Sequence, residues 1–578
     1  MRVHWRWLWM SAVIVAGLRA QEENYPVPPE AKRQEGVPEG KLTPGQFTSP
    51  AIYPGTERDY WLYLPAQWQA GQELALMVFQ DGRSFCQDNS GARAHRVFDT
   101  LIHSGEMPLT AGVFVNPGVV PAAGEDALPR FNRSLEYDDI SDRYARFLLE
   151  ELLPHIEKTH GVRFSANPNW RGLCGASSGG ICAFAAAWNR PDAFRRVYSL
   201  IGTFVGLREG ETLSTLVRKT EPKPLRLFLQ DGEKDLNIYC GDWWMENQTM
   251  QRALDWAGYP VQHAWGTGAH NHKHGAAIFP QAMRWLWQDW REPITPRWEA
   301  SKSRFKEIVG VGSAWERVMD GLAPTGLATG ADGTLYAVDP MARLLVRQTP
   351  GANPAVWSKD TGGARRLALA ADGRLLAACP ATRELRAWDA QTGASSVLAG
   401  NLPAQDVLGL HNGRVYLTGE KGELWTWAAG AGAQKVGELP GAGPLTTSPD
   451  QSLLYVGLPA DRFVHSYQLA ADGKPRFGQP YFHLHLPGVA TRSGVSDLAV
   501  SAEGWLFAAT DLGVQICDQP GRVNLILPGP DPRPGVHAVH LHGQTLYVAT
   551  ETGVWKRSLR VNAAPAHAAP VKPPKPGL

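Results

Sequence analysis

From Arg58 onward, short apolar runs that close on turn residues alternate with longer amphipathic ones. RDYWLYLP, LALMVFQDG and AGVFVNPG read as strands. VFDTLIHSGEM lies between the second and third, and SDRYARFLLEELLPHIEKTHG follows as an amphipathic helix with Ser141 at its cap. The order then continues as strand WRGLCGA, helix SGGICAFAAAWNRP, strands RVYSLIG and LRLFLQDGEKD, helix MENQTMQRALDWAGYP, a last strand VQHAWGTG and a final helix FPQAMRWLWQDW. Strand and helix in alternation predict an α/β fold with helices on both faces of a mainly parallel sheet. The expected domain covers residues 43–292.

The pattern then turns all-β and repeats itself. Turn signals fall at Gly333, Gly373, Gly413, Gln451, Gly504 and Gly543, at intervals of 40, 40, 38, 53 and 39, and each leads into an apolar strand. A period near 40 with several strands per unit predicts a β-propeller of six blades over residues 307–560, with an extended hairpin in the long interval. A β-sandwich with irregular turns is the alternative, and it does not call for regular spacing. Residues 293–306 are left as a linker, and NAAPAHAAPVKPPKPGL reads as a disordered tail over residues 561–578.

At the other end, Arg2 and Arg6 precede an apolar run from Leu8 to Leu18, and Ala20 stands before a polar stretch. This predicts a signal peptide over residues 1–20 and a periplasmic or secreted product, since the run is shorter than the ~20 residues that span a bilayer. A Pro-rich leader follows over residues 21–42. No later segment is long enough to be a membrane span. With 57 basic against 56 acidic residues and no basic block, a nucleic-acid footprint is absent, and a small or neutral partner is expected. The six cysteines are scattered, without metal-type spacing or a readable disulfide framework.

The chemistry centres on GASSG, residues 175–179, which matches G-x-S-x-G between an expected strand and an expected helix. Such a turn lifts the Ser177 hydroxyl above the sheet, and it requires an acid and then a histidine after later strands. Asp235, in DGEKD, lies 58 residues on, just past a strand end; Asp231 and Glu233 are its neighbours and alternatives. After the last strand, GAHNHKHG offers His270, His272 and His274. His270 comes first off the strand and is the expected base, with His274 in reserve. The three histidines alternate, but no carboxylate or cysteine at ligand spacing joins them, so no metal is assigned there.

Together with YWLYLP, MVFQDG, NRSLEYDDISDRYARFLLEELLP, DGEKDLN and GAHNHKHG, this motif set resembles the esterase D family, in the branch of enterochelin esterases and, more distantly, feruloyl esterases and mycolyltransferases. The resemblance implies an α/β-hydrolase fold, Ser177 as nucleophile, His270 as base and Asp235 as its orienting acid, with no cofactor. It also implies an oxyanion hole from the backbone amides of Ser178 and of Arg83 in QDGRSF. Arg133, Glu136 and Tyr137 are pocket candidates, as is His274; a structural role for the first three fits the sequence equally.

With TSPDQSLLYVG, AEGWLFAATDLGVQICDQPGRVNLILP and TLYVATETGVWKR, the second region resembles the gluconolactonase and senescence-marker-protein family, which carries a divalent metal on the propeller axis. Its first-blade Glu is missing from DGLAPTGLATGADG, Gly443 stands where an Asn is expected, and Ser496 where an Asp is expected. Asp497 is one residue on and is expected to face away from the axis. The propeller therefore reads as a non-catalytic binding or packing module. The whole predicts an exported serine ester hydrolase acting on a small-molecule or carbohydrate ester. Its rivals are a metal-dependent lactonase in the propeller and a binding protein with both sites degenerate.

Overall fold

The computed structural model describes residues 24–297, 301–310, 312–486, 488, 490–531 and 535–576. The expected signal peptide, residues 1–20, lies outside them. Eight principal strands build the first sheet: β1 (Lys41–Thr48), β2 (Glu57–Leu64), β3 (Glu73–Gln80), β4 (Thr110–Val115), β5 (Arg171–Ala176), β6 (Arg196–Leu200), β7 (Arg226–Lys234) and β8 (Val261–Ala269). Their spatial order is β1-β2-β4-β3-β5-β6-β7-β8. β2 runs antiparallel to both its neighbours, and from β4 to β8 every pair is parallel. This is the expected α/β-hydrolase sheet.

The helices that position the site are α1 (Ala94–His103), α2 (Ser178–Asn189), α3 (Thr212–Lys219), α4 (Trp243–Ala257) and α5 (Phe279–Trp287). Residues on alternate sides of the central strands feed two apolar clusters. Leu76, Val78, Leu173 and Leu229 pack on one face of the sheet, and Met77, Phe79, Cys174 and Phe228 on the other. A sheet covered on both faces needs strands that are apolar at every position. β3 meets this demand, being buried from Leu74 to Gln80.

The second domain is a ring of six four-stranded sheets. Glu316–Asp320, at its start, pairs with Gly553–Ser558 near its end, so the sixth blade closes the ring with strands from both ends of the domain. Each of the six turn signals sits between the first and second strands of a blade. The long interval holds a hairpin of Phe463–Leu469 and Pro475–His483.

Three segments expected to be irregular carry specific contacts. In the leader, Ala31 is buried, Gly40 N–H donates to Asp99 at 2.7 Å, and Tyr25 stacks on His274. Near the linker, Phe305–Ile308 forms a short helix whose end residues are buried in the propeller core. The tail follows the propeller: Gln451 donates to the carbonyls of Ala566 and Ala568, and Val571 N–H to that of Pro449. Proline-rich composition hides such docking, because proline and alanine still offer carbonyl acceptors to a neighbouring surface.

The domains meet along α3 and the segment after it. Thr220 forms a parallel bridge with Ile526, Glu221 N–H donates to Ile526 O at 2.9 Å, and the Arg557 guanidinium grips the Glu221 carboxylate with two 2.7 Å bonds. None of the six cysteines is in a disulfide. Among the described residues, no helix is long and apolar enough to cross a membrane.

Candidate active site

Ser177 occupies the turn between β5 and α2 with φ 59° and ψ −123°, in the left-handed half of the map where only glycine is comfortable. Small neighbours make the turn possible. A Cβ on Gly175 would lie 2.2 Å from the Gly179 carbonyl oxygen, and one on Gly180 would lie 2.7 Å from Ser199 Oγ. The strained turn is fixed by Ser177 N–H to Leu200 O (2.9 Å) and Thr203 N–H to Ser177 O (3.1 Å).

His270 follows the last residue of β8 directly, which brings its ring over the turn. Nε2 lies 2.9 Å from Ser177 Oγ, and Nδ1 lies 2.5 Å from Asp235 Oδ1. A carboxylate only accepts, so Nδ1–H donates to Asp235 and Nε2 is left to accept from the serine hydroxyl. The Asp235 side chain is fully buried while that of His270 is one-fifth exposed, so the chain of hydrogen bonds runs from the interior out to solvent. Burial pushes the Asp235 carboxyl upward, but hydrogen bonds from His270, Asp231 and Leu236 N–H hold it below its ordinary value. Trp243 meets the His270 ring edge-on at 5.7 Å and donates to Thr203 Oγ1, itself 3.3 Å from Ser177 Oγ.

The other expected residues separate by role. Ser178 opens α2, and its amide is one of the helix's first four N–H groups, which have no partner within the helix. The Arg83 amide is not free as expected, because it donates to Asn116 Oδ1 at 3.2 Å. The Arg133 guanidinium makes a two-pronged contact with Asp81 (2.7 and 3.0 Å), beside the close approach of Gly179 to the Gln80–Asp81 segment.

Glu136 and Tyr137 are not pocket residues. Glu136 is wholly buried, bound by Arg58 through two bonds (2.7 and 3.1 Å) and by Gly118 N–H. Tyr137 is equally buried; its hydroxyl accepts from Asp81 N–H and reaches Val115 O. His274 is not a spare base either, since it is buried, bonded to Gln230 Nε2 at 3.1 Å and stacked on Tyr25. His272 packs on Phe85, and burial lowers its basicity, with Asp81 opposing and His270 and Arg133 adding to the effect.

Exposed apolar side chains stand close in the chain to Arg133 and Asp235. Leu128 and Phe131 precede Arg133, and Leu236, Ile238, Tyr239 and Met245 follow Asp235. Sequence reading passed over these residues because exposure is a tertiary property. The clustering of apolar residues immediately after DGEKD was the available signal.

In the propeller, the axial cavity is lined by Asp406, Asp497 and Arg366. Asp497 thus faces the axis, contrary to expectation, while the Ser496 hydroxyl donates to Val536 O. The metal that the fold family implies does not fit these residues. The Arg366 guanidinium reaches across to the carbonyls of Thr325, His537 and Ser496, supplying the positive charge itself. Asp406 accepts from Leu445 N–H, and Asp497 from Leu498 and Val539 N–H. A hard divalent cation needs several oxygen donors free to converge on it. Among the described residues, no group of three or more His, Cys, Asp or Glu is placed to hold a metal ion.

Residues 51–307 match the family model described as "Putative esterase". Iron(III) enterobactin esterase of Dickeya dadantii (strain 3937) is 23% identical over 283 residues, which are 46% of this chain and 58% of that protein, so the chain spans little more than half the length of this curated relative. Among solved structures, the enterobactin esterase of Shigella flexneri aligns at 19% identity over 46% of this chain and 63% of its own, with a TM-score of 0.36. A gluconolactonase of Xanthomonas campestris aligns at 18% identity over 45% of this chain and 93% of its own, with a TM-score of 0.40. Residues 51–307 therefore match the model described as "Putative esterase", and the residues after them form a six-bladed propeller.

Proposed function

We propose that this protein is an exported serine carboxylic-ester hydrolase that works through an acyl-enzyme. The observation that carries the reading is the unbroken chain Ser177 Oγ, His270, Asp235, anchored on a turn with positive φ. Ser177 Oγ attacks the ester carbonyl as His270 Nε2 takes its proton. The imidazolium, steadied by Asp235, then returns that proton to the departing alcohol. Water enters by the same route in reverse and releases the acid. The Ser178 amide stabilises the oxyanion at the start of α2, where the helix dipole adds to it. The Arg83 amide joins only by exchanging its bond to Asn116 for one to the substrate oxygen.

The exposed apolar side chains that adjoin Arg133 and Asp235 in the chain favour esters with an aromatic or otherwise apolar part, in line with carbohydrate-linked, aromatic or siderophore-type esters. The propeller holds or presents substrate without catalysing. A lactonase centred on its axis is disfavoured by the guanidinium there. Labelling with a fluorophosphonate probe, together with hydrolysis of acetyl, feruloyl and trilactone esters, tests the proposal. Labelling that is absent from the purified protein, or unchanged in Ser177→Ala, would remove it. Export is tested by the N-terminal sequence of the mature protein, expected to begin near residue 21.

A further inference from the structure

The end of β7 holds a second carboxyl that the reaction does not use. Asp231 is completely buried, four residues before Asp235. Between them the register of β7 against β8 shifts, and Asp235 N–H bonds back to Gly232 O at 3.0 Å, so the chain folds the two side chains together. The two carboxyl groups lie close enough to act on each other. Asp231 Oδ1 accepts from Gly232 N–H, and Asp235 Oδ1 faces His270 and Leu236 N–H. One oxygen of each, Oδ2, is buried with no hydrogen-bond partner, and these two are the atoms left for a mutual bond.

Two carboxylates cannot bond to each other unless one carries a proton. Asp235 faces an imidazole N–H and is the one kept ionised. We propose that Asp231 is a positioning residue whose protonated carboxyl donates a hydrogen bond from Oδ2 to Asp235 Oδ2, fixing the acid that orients His270. This rests on the reading of Ser177, His270 and Asp235 as the hydrolytic machinery. The proton stays on Asp231 throughout turnover. It satisfies the buried oxygen of Asp235 and keeps the Asp235 charge on the side of the histidine.

The surroundings agree. Burial first, and then the bond and charge of Asp235, push the Asp231 carboxyl up to about 9. His270 acts on the pair through Asp235; from α4, uncharged Asn247 lies against Asp231, and Trp243 packs on His270. Above that pH, Asp231 releases its proton to solvent, and two facing carboxylates repel.

The test measures kcat and KM from pH 6 to 10.5 in the full-length protein, in Asp231→Ala and in Asp231→Asn. Asp231→Ala is expected to lower kcat about 10- to 100-fold with little change in KM, as loss of an orienting partner does. Asp231→Asn keeps a donor toward Asp235, so it is expected to recover most of that loss. The wild-type kcat should fall with a midpoint near pH 9, and in Asp231→Asn this limb should disappear. Equal kcat in Asp231→Ala and wild type, or an unchanged alkaline limb in Asp231→Asn, overturns the proposal; the second outcome decides even if the alanine variant does not fold. The downfield proton resonance of His270 Nδ1–H reads the same pair without turnover. Its titration near pH 9 in the wild type and not in Asp231→Asn would uphold Asp231 even if no ester were cleaved.

Discussion

Both domains gather hydroxyl, imidazole and carboxyl groups where strands converge, and the two gatherings differ in how their bonding capacity is used. At the sheet end, Ser177, His270 and Asp235 form a chain that opens to solvent at a strained turn at the start of a helix. At the propeller axis, Thr329 lies within 2.8 and 3.0 Å of His540 and His542, and Asp406 and Asp497 are bound by backbone amides under the Arg366 guanidinium. Bonding capacity that is already used holds structure. Capacity left pointing at a cleft, on a backbone kept in an unfavourable conformation, is what a reaction can use.

The largest expected effect tests that contrast directly. Ser177→Ala and His270→Ala should each lower kcat for ester hydrolysis by about 10⁴–10⁶, and Asp235→Asn by about 10⁴. His274→Ala should act on melting temperature more than on kcat, since it breaks the contacts with Gln230 and Tyr25. A His274→Ala variant as inactive as His270→Ala would mean that burial does not separate structural from reactive histidines here.

Next in size is the link between the domains. Arg557→Leu leaves the Glu221 carboxylate without its partner in a largely buried setting, where breaking such a pair costs roughly 3–5 kcal/mol. Thermal unfolding should begin at the interface, while kcat for a small soluble ester stays at the wild-type value below that transition. Arg366→Met should cost less, about 1–3 kcal/mol, by leaving carbonyls of the axial cavity without their donor. It should also leave small-ester turnover intact, and EDTA should change neither melting nor turnover. Chelator-sensitive lactone hydrolysis that survives Ser177→Ala would reverse the roles of the two domains.

The smallest effects are pH-dependent and differ in sign between the regions. Burial first, and then Lys219, lower His485 at the domain interface to about 4. Its folded value lies below its unfolded one, so the stability tied to its neutral form is present above about pH 6.5 and is lost as the pH falls through 4. Asp231 behaves oppositely: raised to about 9, it favours the folded state at low pH, and that contribution is lost as the pH rises through 9. Melting temperature against pH should therefore flatten on the acid side in His485→Gln and on the alkaline side in Asp231→Asn. The same slope in both variants as in the wild type would show that these groups do not set the limits.

The sequence by itself determined what local signals encode. Alternating runs gave the order of strands and helices, and six turn signals gave the number of blades. The position of Ser177, Asp235 and His270 just past strand ends placed each at the edge of the sheet where the side chains meet. Residues decided by distant partners were not legible. Glu136 fitted a pocket or a structural role equally until Arg58, 78 positions away, claimed it. Asp497 turned to the axis, and Arg366 and Asp406 entered the same cavity from other blades. Arg557 and Glu221, 336 positions apart, became a domain contact. Local pattern fixes an element and its ends because turn chemistry and apolar periodicity act over a few residues. The partner of a polar side chain depends on which elements pack together, and so only the tertiary structure decided which groups were occupied and which were left free to act.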